Sequence, residues 1–317
     1  MGLTATAKPW VEVAIGLLIK EGKVCVSLRK SYQHLADHWE FPGGKVEKNE
    51  TAEQALIREF KEELGIETDH WQPFMVVPWH YEQVSVRLQV FKTTHFLGEP
   101  KGLEGQKVQW CPLEQLSNRP FPKANKGILN ALILPDSYIK IDASQNDQAC
   151  LNQFNQALRQ GTGLAQFALK GRSQNAFNSL ANQLADLALA SKAHLILNAP
   201  PESLDFVPNA AGIQLSSDHA LKYQSRPISD HKWLVISVHS AQQVAHALKL
   251  EADVILISPI KSSATHPDLA SIDWAGLASI IKTVPVPIYA LGGLNKRDLQ
   301  EAKKCGAQGI MVTKCVF

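Results

Sequence analysis

Two runs near the start of the chain, WVEVAIGLLI (10–19) and KVCVSLR (23–29), alternate like strands around the turn Lys20-Glu21-Gly22 and predict a β-hairpin. VSVRLQVF (84–91) and KVQWCPL (107–113) have the same character and predict further strands. Between them, TAEQALIREFKEEL (51–64) repeats its apolar residues at helical spacing and ends at Gly65, a helix stop. At about 100° per residue, Leu56, Ile57, Phe60 and Leu64 share one arc, the predicted core face. A second helix is predicted over roughly 123–134, before Pro135. Residues 1–134 therefore read as an α+β domain.

From Pro135 the pattern changes to short apolar runs alternating with helical ones. The expected strands are 138–141, 164–169, 193–197, 211–215, 233–237, 253–257, 287–291 and 308–312, with helical stretches between most of them. Strands separated by crossover helices imply a parallel sheet, and eight such units predict a TIM (βα)8 barrel over 135–317. The eighth strand lies so near Phe317 that the last helix of the barrel is expected to be missing.

Composition narrows the function. With 317 residues the chain is long enough for two cores, and hence two jobs. Lys+Arg at 32 against Asp+Glu at 30 gives a net charge of +2, so no broad basic field exists for stable nucleic-acid binding. A small charged substrate is expected instead. Five widely spread cysteines without a C-x-x-C pair argue against a disulfide framework or a zinc knuckle. The apolar stretch at the N-terminus is too short to span a bilayer, and a soluble, cytoplasmic protein with no membrane partner is expected.

The helix at 51–64 carries the chemistry. Glu59, Glu62 and Glu63 fall on the arc beside the apolar stripe. Carboxylates at i, i+3 and i+4 repel and weaken a helix, and a divalent cation removes that penalty. Mg²⁺ takes carboxylate oxygens, bridges phosphates and lowers the pKa of bound water. The pair Gly43-Gly44 lets backbone come close to a metal or phosphate.

Residues 44–66, GKVEKNETAEQALIREFKEELGI, resemble the Nudix box: Gly44, Glu50 and then Arg58 through Ile66 occupy its fixed positions, with Phe60 where an aliphatic residue is more usual. The resemblance implies an α/β/α sandwich binding Mg²⁺ or Mn²⁺. It also implies Glu59, Glu62 and Glu63 as metal ligands together with the Gly43 carbonyl, Arg58 orienting the glutamates, and Glu59 or Glu63 as the base. Glu50 is expected to be structural.

Beyond the box, SLRKSYQHLADHWEFPGGKVE (27–47), GEPKGLEGQ (98–106) and FPKAN (121–125) resemble the 8-oxo-dGTP diphosphatase branch of that family. This implies Arg29, His34, Phe41 and Asn125 at the substrate and Glu104 as an outlying metal ligand. An asparagine amide both donates and accepts, so Asn125 suits reading a purine edge; it also suits a helix N-cap. The segment HYEQVSV (80–86) departs from that branch, which carries an Asp-Arg pair near there. The implied reaction is hydrolysis of a nucleoside triphosphate to the monophosphate and pyrophosphate. A thiamine-related pyrophosphate and a nucleotide-sensing module are the alternatives.

Residues 136–317 resemble thiamine phosphate synthases and the related thiazole tautomerases through AHLILNAP, AGIQLSSDHAL, ISVHSAQQVAHA, IYALGGLN and CGAQGIMV. The resemblance points to a phosphate-bearing, thiamine-related ligand, with Gly292, Gly293 and Thr313 at the phosphate and His239 as a proton carrier. Three departures argue against synthase activity. Ala199 stands where an aspartate would follow Asn198, Gln214-Leu215-Ser216-Ser217 replaces a His-Leu-Gly-Gln pattern, and His266 stands where a lysine would precede Pro267.

Overall fold

The computed structural model describes residues 9–31, 35–262 and 270–312. The chain divides into two compact units, Met1–Ile133 with Lys282–Pro285, and Leu134–Ile281 with Val286–Phe317.

The first unit is built on strands β1 (Trp10–Lys20), β2 (Lys23–Leu28), β3 (Trp39–Glu40) and β4 (Gly43–Lys45), then helix α1 (Ala52–Leu64). Strands β5 (Glu67–Thr68), β6 (Gln72–His80), β7 (Ser85–Thr93), β8 (Phe96–Leu97) and β9 (Lys107–Pro112) follow, then helix α2 (Lys126–Ile133). One sheet runs in the order β3-β2-β1-β7-β6, with β4 also paired to β1 and β9 to β2; β5 and β8 form a separate ribbon. Side chains of a strand point alternately to its two faces, and β1 shows the consequence. Leu17, with Val13, Ile15 and Ile19, packs in a core shared with Ile128 of α2. Ala14 and Leu18 pack with Leu56, Phe60 and Leu64 of α1. The sheet thus has one helix on each face.

Helix α1 has the termini its sequence calls for. Thr51 and Gln54 form a reciprocal capping box, and Gly65 closes the helix in the left-handed conformation, φ 67°. The buried arc, however, is rotated from the expected one. Ala52 and Ala55 join Leu56, Phe60 and Leu64 inside, while Ile57 is 40% exposed. Small side chains at the contact let helix and sheet approach closely, and Ile57 turns to the rim. Strand β6 was not expected, because Pro73 and Pro78 interrupt its pattern; it occupies an edge of the sheet, where missing N–H donors are tolerated.

The second unit is a closed barrel of eight parallel strands. They are β10 (Ser137–Lys140), β11 (Leu164–Ala168), β12 (His194–Asn198), β13 (Gly212–Leu215), β14 (Trp233–Val238), β15 (Val254–Ile257), β16 (Ile288–Ala290) and β17 (Gly309–Val312). Each expected strand is present within a residue or two, and β17 pairs with β10 to close the ring. Helices α3 (Asp147–Arg159), α4 (Gln174–Ala190), α5 (Ser203–Phe206), α6 (Ser217–Ala220), α7 (Ala241–Lys249), α8 (Asp273–Ile281) and α9 (Leu299–Lys304) lie between the strands. Tyr138 and Tyr289 meet edge to face at 5.7 Å within the barrel core, and Tyr138 donates to Gln214 Oε1 at 3.0 Å. The barrel is therefore packed with side chains. Among the described residues no helix is long and apolar enough to cross a membrane.

Candidate functional site

Glu59, Glu62 and Glu63 lie in the last two turns of α1, and one arginine organises the first two. Arg58 grips Glu50 with two parallel bonds, Nε to Oε1 at 2.9 Å and Nη2 to Oε2 at 3.1 Å. Its Nη1 donates to Glu59 Oε1 at 2.8 Å and Glu62 Oε2 at 3.3 Å, and Nη2 also reaches the Lys45 carbonyl at 3.2 Å. These contacts match the five donors a guanidinium owns, so Arg58 is held in a single pose. Glu50 also accepts from the Glu47 N–H at 2.9 Å, and the Arg58 hydrogen bonds hold its carboxyl below the usual range. It acts as the anchor of the arginine.

Strand β4 completes this corner. A side chain at Gly44 would place its Cβ 1.9 Å from Glu59 Oε1, so the carboxylate occupies the space the glycine leaves. At Gly43 a Cβ would lie 2.1 Å from the Ala14 carbonyl oxygen. The Gly43 N–H donates to the Glu63 carboxylate.

Glu63 sits at the centre of the charge. Burial, then the charges of Glu59, Glu40 and Glu104, push its carboxyl up to about 8, against the opposing hydrogen bond from the Gly43 N–H. Glu104 is brought there by its loop: Leu103 N–H donates to the Glu63 carbonyl at 2.9 Å, and Gln106 joins the same carbonyl at 3.1 Å and the Glu104 N–H at 3.0 Å. Lys30 Nζ lies 3.5 Å from Glu104. Mutually repelling carboxylates that are partly withdrawn from water form a donor set suited to a hard divalent cation. Glu59, Glu63 and Glu104 have the chemistry that would hold a divalent cation, while Glu62, 59% exposed, is placed beside them by its bond to Arg58.

Sequence reasoning did not single out Glu40. It stands between Trp39 and Phe41, both buried, on a strand of two residues, so it faces the other way. Burial raises its carboxyl while an ion pair with Arg29 opposes the rise. An acidic residue between two large aromatics, just ahead of the glycine pair, was the available signal. Arg29 therefore faces Glu40, and its charge also acts on Tyr81, whose hydroxyl is raised by burial.

Phe41 lies against the segment that leads to Asn125. The Trp39 N–H donates to the Pro120 carbonyl at 2.7 Å, tying β3 to the segment that leads into α2, and the rings of Phe41 and Phe121 lie 5.2 Å apart. Phe41 is 2% exposed and belongs to the core, so it supports the neighbouring surface and offers little ring face to a base. Asn125 ends a 3₁₀ turn, Lys123–Asn125, that runs directly into α2. It is 6% exposed, and among the described residues its amide makes no hydrogen bond. The N-cap alternative is thereby left without its bond. His34 lies outside the described residues.

In the barrel, a cavity of about 1020 Å³ opens at the carboxyl ends of β10 to β13, lined by Lys140, Lys170, Asn198, Ala199, His219 and Lys222 among others. His239 is elsewhere, beyond β14; its Nδ1 is 2.7 Å from the Ser258 carbonyl oxygen, and its N–H donates to Gln243 at 2.6 Å. Gly292 (φ 97°) and Gly293 (φ 67°) pass so close to Pro259 and Ser262 that a Cβ on either would come within 2.7 Å of them. Their observed role is this close backbone packing. Thr313 lies outside the described residues.

Comparison with known proteins follows the same division. Residues 14–131 match the NUDIX domain model and residues 138–316 the model for thiamine monophosphate synthase. The chain is 34% identical to the 8-oxo-dGTP diphosphatase of Escherichia coli (strain K12) over 123 residues, 38% of this chain and 95% of that enzyme. It is 33% identical to the CTP pyrophosphohydrolase of the same organism, over 39% of this chain and 91% of that enzyme. The barrel is 24% identical to the thiamine-phosphate synthase of Methanobrevibacter smithii over 181 residues, 57% of this chain and 86% of that protein. This chain belongs to the Nudix family through its N-terminal part and to the thiamine monophosphate synthase family through its C-terminal part.

Proposed function

We propose that the N-terminal domain, residues 1–134, hydrolyses 8-oxo-dGTP to 8-oxo-dGMP and pyrophosphate and so clears an oxidised nucleotide before it enters DNA. The observation that carries the reading is the convergence of Glu59, Glu40 and Glu104 on the half-buried Glu63. Similarity to both an 8-oxo-dGTP diphosphatase and a CTP pyrophosphohydrolase supports the reaction class more strongly than the base. The side-chain amide of Asn125, which bonds to none of the described residues, supports a purine substrate, since it can present a donor and an acceptor to one base edge.

Mg²⁺ or Mn²⁺ bound by Glu59, Glu62, Glu63 and Glu104 would neutralise phosphate oxygens and lower the pKa of water. Water attacks a phosphorus of the triphosphate, the bridging P–O bond between the α and β phosphates breaks, pyrophosphate leaves, and the carboxylate of Glu59 or Glu63 takes the proton of the water. Arg58 keeps Glu59 in place through its charge-assisted bonds, and Arg29 holds Glu40 beside the site. The decisive experiment compares hydrolysis of 8-oxo-dGTP, dGTP, CTP and thiamine diphosphate by wild type, Glu63→Gln and Asn125→Ala. Glu63→Gln should abolish turnover, and Asn125→Ala should raise KM for 8-oxo-dGTP by roughly 10-fold or more, the loss of a buried hydrogen-bonding pair. Turnover of thiamine diphosphate without preference for the oxidised nucleotide would sink this reading.

For the barrel, residues 135–317, we propose binding of a phosphate-bearing, thiamine-related ligand without synthase chemistry. Ala199 lines the mouth cavity, so no carboxylate at that position can hold a pyrophosphate metal. Formation of thiamine phosphate by the purified chain from its two precursors would overturn it.

A further inference from the structure

On the first unit, Asp69, His70 and His95 place a carboxylate oxygen and two imidazole nitrogens within 4.8 Å of one another. None of them belongs to the glutamate cluster on α1. All three are exposed, and they are held by backbone rather than by burial. Ribbon β5-β8 pairs Thr68 with Phe96, which sets Asp69 and His95 across from one another at its end. The Asp69 N–H donates to the His95 carbonyl at 3.4 Å. The Thr93 hydroxyl donates to the Asp69 carbonyl at 2.8 Å and accepts from the His95 N–H at 3.0 Å. Next to them Trp71 is buried, bonded to Thr68 at 3.2 Å and packed edge to face on Phe60. Two loops 25 positions apart in sequence are thus fastened into one scaffold.

The side chains are arranged as ligands would be. His70 adopts φ 51°, a left-handed conformation that turns the chain at the end of β5. Its ring lies 4.7 Å from that of His95, and its Nδ1 is 2.8 Å from Asp69 Oδ1. Two imidazoles and one carboxylate make a donor set for a borderline divalent transition ion, not for Mg²⁺, which prefers oxygen alone.

We propose that Asp69, His70 and His95 bind one Zn²⁺-class ion, separate from the carboxylate centre and with open positions for water. An imidazole ligates a metal only in its neutral form, so uptake weakens as pH falls. The ion also joins β5 to β8, and a ligand that binds only the folded state raises its stability.

The test uses the full chain with excess Mg²⁺ present, so that the α1 carboxylates do not compete for the probe. Titration with Zn²⁺ should show one tight site that His95→Ala weakens by at least ~10-fold and Asp69→Asn also weakens. Zn²⁺ should raise the melting temperature of wild type and not of His95→Ala. With Cu²⁺ as a spectroscopic probe, the electron paramagnetic resonance spectrum should show two imidazole nitrogens in wild type and one in His95→Ala. Mg²⁺-dependent hydrolysis by His95→Ala serves as the check that the variant is folded. Zn²⁺ uptake identical in wild type and His95→Ala, or no tight uptake by wild type, would overturn the proposal.

Discussion

A methyl group at position 44 would lie 1.9 Å from a carboxylate oxygen of Glu59, closer than any non-bonded contact. Either β4 retreats or Glu59 swings away from Arg58, and in both cases the carboxylates no longer converge as they do now. Gly44→Ala is expected to lower kcat by ~10²-fold, the scale on which a misplacement of about 1 Å acts, with the protein still folded. Steady-state kinetics with 8-oxo-dGTP and far-ultraviolet circular dichroism would measure the two effects; an unchanged kcat would mean that Glu59 has no part in the reaction. At this scale the sequence is informative where residues are close along the chain. Gly44, Arg58 and the three glutamates share one short segment, so their spacing could be read as a site. Glu40 and Glu104 reach Glu63 only through the fold, Glu40 marked by no more than its two aromatic neighbours and Glu104 by the resemblance of its loop, and nothing in the local pattern of His70 and His95 distinguishes them from ordinary surface residues.

Among the elements, periodicity made the helices and barrel strands readable and failed where another constraint governed the strand. α1 and the eight barrel strands carry runs long or apolar enough to show their period. β6 hides behind two prolines, which an edge strand can tolerate, and β3 and β4 are too short to have a period at all. One barrel strand also contributes a pH response. His194 opens β12, its ring 4.6 Å from Trp233, and burial pulls its imidazole below the ordinary 6.5. The unfolded chain therefore takes up this proton first as pH falls. The stability that the neutral ring contributes is present above about 6.5 and is lost as pH falls from there toward the folded value. His194→Phe keeps a ring against Trp233 and removes the titration. Thermal melts across this range should show wild type losing stability more steeply on acidification than His194→Phe. Parallel curves would assign the acid response to other groups.

Among the described residues each unit has a core of its own, with clusters on either side of the sheet in the first and a cluster inside the barrel in the second. A unit with its own core is expected to fold alone, so the hydrolase should act without the barrel. The sequence pattern places the end of the first domain at residue 134, beside the start of the barrel. Leu134 is 5% exposed and packs with Tyr138, Leu164 and Tyr289 in the barrel core. Its carbonyl accepts from Gln308 at 2.7 Å, and the carbonyl of Pro135 accepts from the Tyr289 hydroxyl at 2.5 Å. These two residues fasten the start of the first barrel strand to β16 and to the residue before β17. A barrel fragment beginning at Leu134 should therefore be more stable than one beginning at Asp136, by ~2 kcal/mol for the leucine side chain alone. Urea denaturation of the two fragments measures the difference. Residues 1–133 alone should retain the kcat/KM of the full chain for 8-oxo-dGTP. Equal stability of the two barrel fragments would show that the core closes without Leu134, and an inactive 1–133 fragment would show that the hydrolase needs the rest of the chain.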